Sequence, residues 1–185
     1  MHIVEESNSL EDIIDSFDER IHDYLIKISA VGLSPNESNR LSRNLDVTKD
    51  LERIGDHLNN IMNLFEERYE DHAQLSEEGA TDLTTLYETL KHMMEKTFLC
   101  YDTHDKLMAR EVLKIEDEVD ALEETFRYKY IDRLKSQTVP FIVTANYADI
   151  LSNMERIGDH LNNIATTVIE PLRIPSHSIA KGQIK

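Results

Sequence analysis

The sequence predicts an all-α protein of long antiparallel helices, and three observations carry that expectation. Glycine and proline are scarce, 5 and 4 among 185 residues. Apolar residues recur at three- and four-residue spacing almost throughout, the period of an amphipathic helix. A ten-residue segment, "ERIGDHLNNI", occurs at Glu52–Ile61 and again unchanged at Glu155–Ile164. A packed helix face normally accepts swaps among similar apolar residues, so packing alone is a weak reason for such identity.

The elements follow in order. Leu10, Ile13, Ile14, Phe17, Ile21, Tyr24, Leu25 and Ile28 stripe a first helix over 8–31. In "SPNE", Ser34 is an N-cap, Pro35 takes the first helical position and Glu37 completes a capping box. These residues open a second helix over 35–70, striped by Leu41, Leu45, Leu51, Ile54, Leu58, Ile61, Met62 and Phe65. "DHAQLSE" reads as a loop, with Ser76 the cap of a third helix over 76–101. Asp102 or Thr103 starts a fourth over 103–136, carrying Leu107, Val112, Ile115, Val119, Leu122 and Phe126. Pro140 opens a fifth over 140–170 and Pro171 closes it. The last residues, 171–185, have two prolines, no acids and no apolar period, the signature of a disordered tail.

The duplication extends beyond the ten identical residues. "EDIID" (Glu11–Asp15) matches "EDEVD" (Glu116–Asp120), and each leads through a turn into the repeated segment. The unit is therefore a helical hairpin used twice. The third helix bridges the copies, and no equivalent precedes residue 8, so the first unit is incomplete. Residues 1–72 make a first repeat of two helices, 73–170 a second of three, and 171–185 the tail. The missing helix lies outside this chain or is supplied by a partner. The exposed apolar surface left by its absence calls for self-association, such as a homodimer, or for another protein.

Composition narrows the function. Thirty-six acidic residues stand against 20 basic ones, a formal net charge of −16. Such a surface repels the phosphate backbone and argues against nucleic acid. It suits a cation binder, or simply a soluble acidic protein. The single cysteine, Cys100, cannot form an internal disulfide and reads as a small buried apolar residue. No apolar run reaches the roughly 18–20 residues that span a bilayer. The acidic start "MHIVEESNSLEDIID" lacks the basic and apolar regions of a signal peptide. A cytoplasmic protein is expected.

Each arm of each hairpin carries Glu-x-x-x-Asp: Glu11/Asp15, Glu52/Asp56, Glu116/Asp120 and Glu155/Asp159. Residues four apart share a helix face, so each pair repels unless a cation lies between. Four such pairs at matching places suggest metal ligands. Asn60 and Asn163 extend the rows of the repeated segment by one further turn, giving hard oxygen donors suited to Mn, Mg, Ca or oxidised iron. The plainer reading is a solvated acidic face bridged to Arg53, Arg156 or lysines. Gly55 and Gly158, mid-helix, cost about 1 kcal/mol relative to alanine. They imply close approach, either of a neighbouring helix or of a bound cluster. His57 and His160 lie some 100° round from the row and are expected at its periphery. Di-iron oxidases place Glu-x-x-His on two helices; here the spacing occurs once, at Glu19/His22, without a counterpart. A catalytic role is not expected.

With these residues in view, "DLERIGDHLNNI", "KIEDEVDALEE" and "NMERIGDHLNNIA" resemble the PhoU family. Within it, they are most similar to the PhoU-like domain that ends bacterial sodium/phosphate cotransporters of the NptA type. The resemblance covers roughly residues 8–170. It implies two pseudo-symmetric three-helix bundles that hold a multinuclear iron cluster, or Mn, Mg, Ca or Zn. Carried over by motif, the implied ligands are Glu52, Asp56, Glu116, Asp120, Glu155 and Asp159, with Glu11 and Asp15. It further implies negative regulation of phosphate uptake through a membrane phosphate transporter at the inner face of the membrane, and through a sensor kinase. Two readings stand beside it: a metal-free helical adaptor, and a di-iron carboxylate oxidoreductase.

Overall fold

The computed structural model describes residues 2–72, 75–136 and 146–170. Its elements are α1 (His2–Ser29), α2 (Pro35–Glu70), α3 (Glu77–Thr103), α4 (Lys106–Lys135) and α5 (Tyr147–Ile169). There is no strand among the described residues. The all-α expectation holds, and local chemistry sets most boundaries. Ser34 Oγ accepts the Glu37 amide while Glu37 Oε2 takes the Ser34 N–H at 2.8 Å, so two otherwise unpaired donors satisfy each other at the start of α2. Ser76 caps α3 by accepting from the Gly79 amide at 3.1 Å.

Three starts differ from expectation: α1 begins early, the fourth helix late, and the last at Tyr147 where 140 was expected. α1 begins at His2, six residues before the predicted start, and its Val4 is buried. The fourth helix starts at neither Asp102 nor Thr103. Both belong to α3, which ends where His104 turns left-handed at φ 55°. An N-cap must itself leave helical geometry, and the turn at His104 gives that position to Asp105. Its Oδ1 accepts the Leu107 and Met108 amides at 2.8 and 3.1 Å. At the start of α5, the Asn146 side chain caps nothing and reaches Glu67 Oε2 on α2 at 2.8 Å. The roles predicted for Pro140, Pro171 and the tail lie outside the described residues.

Packing order explains where the core lies. α2 and α5 are central neighbours; α1 packs on α2, α4 packs on α5, and α3 lies across α4 and α5. Leu86, Met93, Val112, Val119, Ile150, Leu151, Leu161 and Ile164 are fully buried, and all belong to the three-helix half. Cys100 is buried as expected, its thiol donating to the Thr97 carbonyl, and burial holds that thiol above its usual range. At one end, buried Asp82 on α3 accepts from Lys129 and Arg133 on α4, at 2.8 and 3.3 Å. Arg133 lies over the Tyr147 ring of α5, and Tyr130 stacks on it. A buried charge needs such partners, and here they tie three helices together.

The two-helix half is open. Leu161 of the second repeated segment is 0% exposed, whereas Leu58, its counterpart in the first, is 44% exposed. Phe126 on α4 is buried, while Ile21, at the matching place on α1, is exposed. The residues are alike in kind; what differs is the covering helix. Nothing among the described residues stands over α1 and α2 as α3 stands over α4 and α5. Burying one leucine is worth about 2 kcal/mol, so the asymmetry is large.

Candidate functional site

The carboxylates gather on the side of each hairpin away from its apolar face. In the first hairpin, Glu11 and Asp15 of α1 meet Asp56 of α2. One oxygen from each lies within 4.8 Å of the others, and no other acid, His or Cys group among the described residues closes this tightly. Gly55 makes the approach possible. A Cβ there would stand 2.9 Å from Cδ1 of Ile14, the residue between the two α1 acids. The second hairpin repeats the device: a Cβ on Gly158 would lie 3.2 Å from Val119 Cγ1 and 3.6 Å from Leu90 Cδ2. Of the two meanings open to these glycines, the structure favours helix packing. The close packing in turn sets the acids side by side.

Electrostatics reflects the crowding. Partial burial raises the Asp56 carboxyl above its ordinary range, with Glu52 and Asp15 adding to the rise. Glu11 moves the same way through desolvation, then Asp15, Asp12 and Asp56. In the second hairpin, burial raises Glu116, with Asp120 and Asp159 next in effect. Asp120 and Glu155 are raised by burial too, each then by carboxylates that include Asp159 or Asp120 and Glu123. Every one of these shifts opposes ionisation, and neighbouring negative charge contributes to each. Such a cluster is stabilised by a proton or by a cation.

One buried oxygen sharpens the point. Asn162, beside Glu116 in the second hairpin, has a buried Oδ1 with no hydrogen bond. Buried oxygens are normally satisfied, and an unpaired one costs about 1–3 kcal/mol. Glu52 Oε2 in the first hairpin is buried too, and its charge is met by Lys49 Nζ at 2.7 Å. Oxygen donors of this kind fit a hard cation.

The structure thus assembles Glu11, Asp15 and Asp56 tightly, with Glu52 beside them. It sets Glu116, Asp120, Glu155 and Asp159 in mutual electrostatic range without so close a triad. Asn60 and Asn163 do not continue the rows. Asn60 is exposed, and Asn163 donates to Asp50 on α2 at 3.2 Å. The amide at the second cluster is Asn162, one residue earlier, because seven residues from Glu155 is two full turns and eight overshoots them. Glu123 was also missed. It acts on Asp120 and Glu155 and is ion-paired to Arg127. Its spacing, seven residues after Glu116, was the available signal, and Asp18 holds the same place after Glu11.

His57 and His160 lie between the hairpins. Their rings stack at 5.6 Å across α2 and α5; His57 Nδ1 pairs with Asn153 Oδ1 at 2.9 Å and His160 Nδ1 with Asp50 Oδ1 at 2.8 Å. They fasten the repeats together. Positive charge is also present: Lys49 and Arg53 flank Glu52, and Arg53 lies 3.9 Å from Asp56. No helix of the described residues is long and apolar enough to cross a membrane.

Comparison with known proteins shows what the chain is similar to. One family model, described as "PhoU domain", matches residues 3–65 and 83–168. A Deinococcus radiodurans protein described as "Uncharacterized protein" is 29% identical over 157 residues, 84% of this chain and 56% of its own length. The "Phosphate-specific transport system accessory protein PhoU homolog 1" of Thermotoga maritima is 27% identical over 129 residues, 68% of this chain and 53% of its own. The chain therefore spans little more than half the length of these relatives. Among solved structures, PhoU from Pseudomonas aeruginosa superimposes with a TM-score of 0.84 at 21% identity, over 91% of this chain and 80% of that one. The phosphate transport system regulatory protein PhoU from Streptococcus pneumoniae gives 0.75 at 18%, over 91% and 78%. These two likenesses establish the shared fold.

Proposed function

The chain belongs to the PhoU family, and from that premise we propose that it is a metal-binding regulatory domain that modulates inorganic phosphate transport. It works by binding, and its partner is a membrane phosphate transporter of the sodium/phosphate cotransporter kind, with a sensor kinase as a second. Its place is the cytoplasm, at the inner face of the membrane. Metal is held by Glu11, Asp15, Glu52 and Asp56 in one hairpin, and by Glu116, Asp120, Glu155 and Asp159 in the other. Iron as a multinuclear cluster, or Mn, Mg, Ca or Zn, would supply the positive charge that binds the two arms of each hairpin together. The remaining residues do the positioning: Gly55 and Gly158 bring the arms close, and Asn162 stands beside Glu116.

The observation that carries this reading is the close meeting of Glu11, Asp15 and Asp56, one oxygen of each within 4.8 Å of the others. The Lys49–Glu52 and Arg53–Asp56 pairs favour a second reading for the first hairpin, in which basic side chains balance the acids without metal. Elemental analysis decides between them. Protein purified without chelator carries stoichiometric metal, and the Asp56→Ala/Asp159→Ala variant loses it while staying helical. Metal content at background in the unmodified protein would leave the basic-side-chain reading standing.

A further inference from the structure

The chain carries a net charge of −16, yet at one end of the bundle cations gather with little acid among them. An open pocket of about 470 Å³ lies where the first turns of α2 meet the α3–α4 junction and the end of α5. Arg40, Arg43, His104 and Lys106 line it against one acid, Glu170. Arg43 is held in place: its Nη1 donates to the Thr167 carbonyl at 3.1 Å and its Nη2 to the Glu170 carbonyl at 2.8 Å. α5 has no basic residue in its own last turn, so Arg43 meets the negative end of that helix. Arg40 and Lys106 have no such duty. Both are exposed, and among the described residues neither side chain has a hydrogen bond or ion pair. The acids nearest them along the chain are engaged elsewhere, Glu37 in the Ser34 capping box and Asp105 in the cap of α4.

We propose that this pocket binds a phosphate group, with Arg40 and Lys106 taking its oxygens and Arg43 a fixed positive charge beside them. Neutralising the carbonyl ends of α3 and α5 accounts for Arg43 but not for Lys106, which is the first residue of α4. That first turn holds no acid. A cation at the positive end of a helix is disfavoured, and the two together attract an anion. Arginine offers phosphate a planar fork of donors and lysine a point charge, so one oxyanion satisfies both. Tyr101 and His104 add two rings to the same wall, edge to face with centroids 6.5 Å apart. The pocket is larger than one phosphate ion, so free inorganic phosphate fits, and so does the phosphate of a nucleotide whose base lies against those rings. None of the eight acids of the carboxylate clusters lines it. The site adds a ligand to the regulatory reading and does not rest on metal.

Titration calorimetry in phosphate-free buffer tests the proposal, with inorganic phosphate and adenosine monophosphate as separate probes. The unmodified chain binds one equivalent of at least one of them with a Kd of about 1 mM or tighter, and the tighter probe identifies the source of the phosphate group. Arg40→Gln and Lys106→Gln each weaken binding about tenfold, since each removes a charge-assisted contact. Glu170→Gln strengthens it by removing the pocket's acid. All three side chains are exposed, so the variants keep their helical circular dichroism. Arg110→Gln, at an exposed cation of α4 outside the pocket, binds as the unmodified chain does. The Asp56→Ala/Asp159→Ala variant also keeps its binding, because the pocket lies apart from the carboxylate clusters. Loss of binding there, with retention in Arg40→Gln and Lys106→Gln, would put the phosphate on bound metal and overturn the proposal. So would binding of neither probe up to about 10 mM. Equal weakening by Arg110→Gln would overturn it too, since it marks the bulk attraction of an anion to any cation.

Discussion

Single residues decide how closely the arms approach. Gly55 and Gly158 occupy the same place in the two repeated segments, but their neighbours differ in stiffness. An added Cβ at 55 meets the free end of Ile14, which can swing away; at 158 it meets β-branched, fully buried Val119. Gly→Ala within a helix gains about 1 kcal/mol of propensity. Gly55→Ala is therefore expected to hold or raise stability, whereas Gly158→Ala loses about 1 kcal/mol through overpacking. Urea denaturation of the two variants measures the difference, and equal effects would contradict this account. Local spacing made the eight acids and two glycines legible. Asn60 is exposed and Asn163 donates to Asp50, because a row counted four residues at a time drifts round a helix that turns in 3.6.

At the scale of the element, caps carried most of the information. Ser34, Pro35, Glu37 and Ser76 have the roles their spacing predicts, because an unpaired backbone donor and a short polar side chain recognise each other within three residues. Ser34→Ala should cost about 1 kcal/mol, read as a lowered midpoint in thermal unfolding; an unchanged midpoint would show that the first hairpin does not limit stability. The α3–α4 junction was misplaced for the same local reason. Asp102, Thr103 and Asp105 are all competent caps. The choice fell to His104, whose left-handed turn is set by how α4 must fold back on α3.

At the scale of the molecule, the carboxylate clusters link stability to pH and metal. Glu11, Asp56, Glu116, Asp120 and Glu155 all bind protons more tightly folded than unfolded. Their stabilising contribution is present at or below the ordinary values of 3.8 and 4.5 and is lost as pH rises through the raised ones. In chelator, the melting temperature should therefore fall as pH rises above the ordinary carboxylate range, and saturating divalent metal should remove the fall by taking the place of the proton. Calorimetry across that range checks both halves. A chelated protein whose melting temperature rises toward neutrality would contradict the crowding.

The sequence by itself determined that the chain is helical, that a hairpin occurs twice, and which eight acids would share the matching faces. Periodicity and capping are properties of neighbours along the chain, and so are readable there. Only the tertiary structure decided that Glu11, Asp15 and Asp56 draw together more tightly than their counterparts. It also decided that Asn162 reaches the second cluster, and that Leu58 stands open where Leu161 is sealed. Those outcomes depend on which helix lies over which face, and two identical ten-residue segments cannot encode a difference that arises wholly from their surroundings.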